Sequence, residues 1–144
     1  MKYSIRYMGM AVVTLSLSGA AHFAMAETVV IVAASSPVTA LSADQTADLF
    51  LGRASSFPSG GAATPVDQPD GSVRDDFYTR VAKKSGAQVK AYWAKLVFTG
   101  KGQPPKHAEN SADVRSMVAA NPAAIGYVDK SAVDGSVKIV LNLH

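Results

Sequence analysis

The sequence predicts a single α/β domain with a mixed or parallel sheet, and three observations carry that prediction. Thr28-Val29-Val30-Ile31-Val32-Ala33 is an unbroken apolar run rich in β-branched residues, as in strands buried on both faces. Ser-x-x-Gln pairs at Ser42–Gln45 and Ser85–Gln88 have the form of capping boxes and place helix starts downstream of that strand. Val137 to Leu143, after the turn signal Asp134-Gly135, closes the chain with a further strand.

The elements follow in order. The first strand ends at the loop Ala34-Ser35-Ser36-Pro37. Ser42 opens a helix whose apolar stripe is Ala47, Phe50 and Leu51, and Gly52 suits its C′ position. Ser55 to Gly61 is a Ser/Gly-rich loop. Thr64-Pro65-Val66-Asp67 reads as a short strand, with Pro65 restricting it to an edge or to the strand's start. Ser72 is expected to cap a second helix with Asp75 completing a capping box, and Val73, Phe77 and Val81 line its apolar face. Lys83 and Lys84 fall at its negative end. The helix from Ser85 presents Val89, Trp93, Leu96 and Val97, with Tyr92 beside them, and Thr99 to Pro105 is a loop that ends it. Ser111, Val114, Met117 and Val118 mark a fourth helix stopped before Pro122, and Ile125 to Val128 is a short strand.

The N-terminus stands apart. Lys2 and Arg6 precede an apolar stretch from Met8 to about Leu17, and Ala24-Met25-Ala26 has the A-x-A form of a cleavage site. Residues 1–26 are therefore expected to be a signal peptide and residues 27–144 the exported domain, in the periplasm. The apolar run is interrupted by Thr14, Ser16 and Ser18 and is short for a membrane span of about 20 residues. Loss of Lys2 and Arg6 lowers the formal net charge of +3, and no concentrated basic face points to nucleic acid. The chain has no cysteine, which excludes disulfides, thiolate catalysis and cysteine-ligated metal.

Candidate chemistry is sparse. Gly71-Ser72 opens a helix, so backbone amides and the Ser72 hydroxyl are placed to meet an anion. Arg74 adds a bidentate donor pair, and Asp67 or Asp70 could accept from a protonated phosphate oxygen. The competing reading is plain capping, with Asp70-Gly71 as a turn and Arg74 solvated. Ser35 and Ser36 are a second candidate pair, against a plain turn around Pro37. Thr99 and Gly100, with Lys101-Gly102, are a third, although the G-x-x-x-x-G-K-[ST] spacing of a phosphate-binding P-loop is missing. Trp93, Phe98 and Tyr127 could line a site, and helical spacing makes Trp93 a core residue before a site residue. His107 and His144 lack zinc-ligand spacing, no serine sits in a G-x-S-x-G elbow, and no catalytic residue, cofactor or metal is expected.

Several segments, in order, resemble the phosphate-specific solute-binding proteins of ATP-driven importers, the PstS type. They are Asp48-Leu49-Phe50-Leu51-Gly52-Arg53, Thr64-Pro65-Val66-Asp67 through Asp70-Gly71-Ser72, the aromatics Phe77 and Trp93, and Asn121-Pro122-Ala123-Ala124-Ile125-Gly126-Tyr127-Val128. Tyr92 to Gly102 is similar to a group of short proteins of this kind. The resemblance implies a periplasmic-binding-protein-like domain with a mixed sheet flanked by helices, and a serine-bearing ligand loop after the first strand. It departs from the family at Asp70-Gly71-Ser72-Val73-Arg74, where the family has Asp-Gly-Ser-Gly-Thr, and in length, because such binders close two lobes on the anion. Two function classes follow. One is a binding module for phosphate or a similar small oxyanion, serving an ABC transporter permease or a membrane sensor. The other is a ligand-free periplasmic interaction protein on the same fold. Pairing with a second copy of the chain stays open in either case.

Overall fold

The computed structural model describes residues 27–144; the expected signal peptide, with its cleavage site at Ala24-Met25-Ala26, lies outside the described residues. The strands are β1 (Thr28–Ala33), β2 (Thr64–Asp67), β3 (Lys106–His107), β4 (Ala124–Asp129) and β5 (Val137–Leu143). The helices are α1 (Ala43–Phe50), α2 (Ser72–Ala82), α3 (Gly86–Phe98) and α4 (Ser111–Ala119), with a 3-10 turn at Lys130–Ala132. The sheet order is β3-β2-β4-β1-β5. β1 runs antiparallel to β4 and β5, whereas β2 runs parallel to β3 and β4, so the sheet is mixed. No helix among the described residues is long and apolar enough to cross a membrane.

The β-branched run becomes an inner strand because both of its faces are covered. Val30 and Val32 join a core with Phe50 of α1, Phe77 and Tyr78 of α2, and Val89 and Trp93 of α3. Val29 and Ile31 join a smaller core with Val114 and Val118 of α4. The result is three layers: α1 to α3, the sheet, then α4. Close approach of α4 explains Gly126 on β4. A β-carbon there would run into Val114 Cγ1 and come within 3.1 Å of Val118 Cγ2.

The capping boxes of α1 and α3 form as expected. Ser42 and Gln45 exchange hydrogen bonds of 3.0 Å, and Ser85 and Gln88 bonds of 2.8 and 3.1 Å. Gly52 ends α1 with φ +71°, and the Trp93 ring lies 2.8 Å from where its β-carbon would be. α2 differs from the expectation. Its N-cap is Gly71, Ser72 is already helical, and no N-cap side chain bonds the first turn. Asp75 closes no box, because its Oδ1 accepts from Gly86 N at 3.1 Å and ties α2 to α3.

Two further expectations change. The segment after Pro104-Pro105 contains β3, whose two residues pair with Val66 and Asp67. Pairing to β3 begins after Pro65, so the missing proline N–H breaks no bond on that side, in keeping with a place at the strand's start. Val97, expected on the buried face of α3, is 52 % exposed, and Phe98 is 92 % exposed.

Candidate functional site

The C-terminal end of β2 carries a buried charge. Asp67 is 2 % exposed. Its Oδ2 accepts from the Tyr78 hydroxyl at 2.6 Å, and its Oδ1 accepts from the Tyr127 hydroxyl and from Gln68 N at 2.8 Å. Arg74 Nε stands 3.4 Å from Oδ1. Burial first, and then the neighbouring Asp67 charge, push both tyrosine hydroxyls far above their ordinary pKa, so both stay neutral donors. The rings pack as tightly as the hydroxyls: Phe77 stacks on Tyr127 with centroids 4.0 Å apart.

Arg74 belongs to this network. It is 6 % exposed. Its Nη1 donates to Asp70 Oδ1 at 3.3 Å and to the Gly86 carbonyl at 3.1 Å, and its guanidinium lies 5.1 Å from the Tyr78 ring centroid. Sequence reading offered a solvated arginine or a free ligand arm. The side chain is instead buried and engaged, because α3 begins against α2 and brings the Gly86 carbonyl to it.

Immediately beyond, the chain is open. Gln68 to Arg74 form one wall of a cavity of 230 Å³, and Glu109 and Asn110 form the other. Gly71 is the N-cap of α2 and Asn110 the N-cap of α4, so two helix N-termini border the same space. In α2 the first amide with a helical acceptor is that of Asp75, bonded to the Gly71 carbonyl at 3.0 Å. The N–H groups of Ser72 and Val73 find no protein acceptor among the described residues. These are free donors at the positive end of a dipole, the arrangement that receives an oxyanion. Asp70 and Ser72 are exposed at this rim. Lys90 Nζ lies 4.0 Å from Asp70 Oδ2. Among the described residues no three His, Asp or Glu side chains gather to hold a metal ion.

Of the candidate residues, Asp70, Gly71, Ser72 and Arg74 therefore come together. Ser35 and Ser36 do not join them. They follow β1, which is antiparallel to β4, while β2 is parallel to β4, so the two loops leave opposite ends of the sheet. The Ser36 hydroxyl accepts from Val38 N at 3.2 Å, and its carbonyl accepts from Lys138. Thr99 and Gly100 end α3, where the Thr99 hydroxyl donates to the Lys95 carbonyl at 2.9 Å and Gly100 has φ +68°. Neither lines the cavity.

Tyr78 and Gln68 escaped sequence reasoning as members of this region, whereas Tyr127 was expected as an aromatic lining a site. The Gln68 side-chain amide donates to the Tyr127 carbonyl at 2.8 Å and to Ser111 at 3.2 Å, which fastens the loop to β4 and α4. Asp67 and Tyr127 are 60 residues apart in the chain, and no local pattern links them.

No family model matches the sequence, and no curated protein matches it. Solved structures do. A protein from Clostridium perfringens, described as a phosphate ABC transporter substrate-binding protein and solved with bound phosphate, is 28% identical over 80% of this chain and 44% of its own, with a TM-score of 0.62. An ABC-type phosphate transport receptor from Vibrio cholerae is 18% identical over 80% and 45%, also at 0.62. PstS from Borrelia burgdorferi is 12% identical over 80% and 46%, at 0.58. The chain spans less than half the length of each. It thus has the fold of the phosphate ABC transporter substrate-binding proteins over most of its length, and it resembles that family.

Proposed function

We propose that this chain is an extracytoplasmic binding module for phosphate or a similar small oxyanion, delivering it to an ABC-type importer. The observation that carries the reading is the meeting of the α2 and α4 N-termini at one cavity, with the Ser72 and Val73 amides uncommitted. Likeness to a phosphate-bound structure at 28% identity supports it. Ser72 contributes a hydroxyl, and Asp70 stands where it could accept from a protonated phosphate oxygen, which would favour phosphate over sulfate. Arg74 contributes positive potential from behind the loop, since its Nη1 is engaged within the protein and its Nε lies beside the Asp67 carboxylate.

The test is calorimetric titration of the purified protein with inorganic phosphate, with sulfate as control, repeated on Ser72→Asp. A carboxylate at the first turn suits the helix dipole, so the variant is expected to fold. It places negative charge where the anion would sit, so phosphate affinity is expected to fall by more than about tenfold. Undiminished binding would remove the α2 N-terminus from the site. The internal use of Arg74 favours a second reading, a ligand-free interaction module on the same fold, and the absence of any saturable heat with phosphate would select it.

A further inference from the structure

A larger groove adjoins the anion cavity. It has a volume of 680 Å³, within the range of pockets for small organic ligands. It shares Gln68, Pro69, Asp70 and Arg74 with the smaller cavity, so one stretch of chain borders both spaces. Away from that stretch its walls are mostly apolar, with Trp93, Val97 and Phe98 of α3 and the pair Pro104 and Pro105, and its polar members there are Lys90 and His107. Val97 and Phe98 are the exposed large hydrophobic residues among those described, and both face this groove. Two buried side-chain nitrogens among the described residues lack a hydrogen-bond partner, Arg74 Nε and Trp93 Nε1. Both residues are in the groove wall, each more than nine-tenths buried, and Arg74 Nε lies 3.4 Å from Asp67 Oδ1.

Resting on the oxyanion reading above, we propose that the site takes a phosphorus oxyanion carrying an apolar substituent, a phosphate monoester or phosphonate, in preference to inorganic phosphate. The anionic head sits at the Gly71-Ser72 amides, and the substituent runs along Trp93, Val97 and Phe98. Inorganic phosphate would fill the small cavity and leave the apolar wall wet. An aryl or alkyl substituent covers that wall and gains from its burial. Lys90, in the groove wall and 4.0 Å from Asp70, adds positive charge that complements the negative head.

The experiment titrates the purified protein in parallel with inorganic phosphate, phenyl phosphate and phenol, and repeats the series on Phe98→Ser. Phe98 is almost fully exposed, so this variant is expected to keep the fold. Phenyl phosphate is expected to bind about tenfold more tightly than inorganic phosphate, with most of that advantage lost in Phe98→Ser. Equal affinities for the two phosphates would overturn the inference and leave the oxyanion reading standing. Failure of both phosphates to bind would overturn the oxyanion reading itself, and this inference with it. Phenol binding as well as phenyl phosphate, or self-association by sedimentation that Phe98→Ser abolishes, would also overturn it, by making the groove an apolar or copy-to-copy contact.

Discussion

Asp67 and Asp70 are three residues apart and meet opposite fates. Asp67 is buried, with two tyrosine hydroxyls and a backbone amide on its carboxylate and an arginine beside it. The Asp70 side chain is 72 % exposed and holds Arg74 and Lys90 at 3.3 and 4.0 Å. The first solves the problem of a buried charge by saturating it, which a low-dielectric interior requires. The second leaves its surroundings unsaturated, with free amides beside it. Arg74 spans both regions but belongs energetically to the first. Saturated and open surroundings are thus divided along one short loop: its inner end is committed, and its outer end is free.

The largest expected effect comes from breaking the committed end. Asp67→Ala leaves the buried Arg74 guanidinium with only the solvent-exposed carboxylate of Asp70 as counter-charge, and two hydroxyls without their acceptor. We expect a loss of about 3–5 kcal/mol, read as a lower urea midpoint. An unchanged midpoint would mean that Asp67 is no more committed than Asp70. Arg74→Ala should behave in the same way, so a loss of anion binding in that variant would report unfolding before it reported a lost contact.

A smaller effect separates the regions by pH. Tyr78 and Tyr127 have raised folded-state pKa values, so their stabilisation is fully present below the unfolded tyrosine value of about 10. Above that pH the unfolded state releases protons that the folded state retains, and stability falls as pH rises. Tyr127→Phe should flatten that alkaline decline, measured as urea midpoints between about pH 9 and 11. An equal slope in variant and parent would show that the hydroxyl does not stay protonated in the fold.

The smallest effect belongs to the free end. Ser72→Ala should change stability by no more than about 0.5 kcal/mol, because Ser72 caps nothing. Ser42→Ala should cost about 1 kcal/mol in the same assay, since that hydroxyl closes a real capping box. Equal costs would return Ser72 to the role of a helix cap.

These contrasts follow the division between local and distant interactions. The Ser42–Gln45 and Ser85–Gln88 boxes were legible because both partners lie within one helical turn. The same logic failed at Ser72. Whether a serine caps depends on where the helix begins, and Gly71 takes the cap position here. Asp75 has its acceptor role set by Gly86, 11 residues on. β3 was invisible because two residues after a Pro-Pro pair show no periodicity, and only the β2 edge makes them a strand. Within the candidate site, Asp70-Gly71-Ser72 was legible as the turn that opens a helix. Ser35 and Ser36 were drawn in as a loop after a strand, and the antiparallel course of β1 carries them to the other end of the sheet.

From the amino-acid order alone came the α/β class, the buried central strand, two helix caps and the Asp-Gly-Ser turn. All of these are written in neighbouring residues or in a repeating apolar pattern. Strand direction, the partners of Arg74, the neutrality of the two tyrosines and the groove along the Gln68–Arg74 loop were decided in three dimensions. The reason is physical: a buried charge or an open cavity is defined by what distant segments bring to it, and Asp67 meets Tyr127 only because β2 lies beside β4.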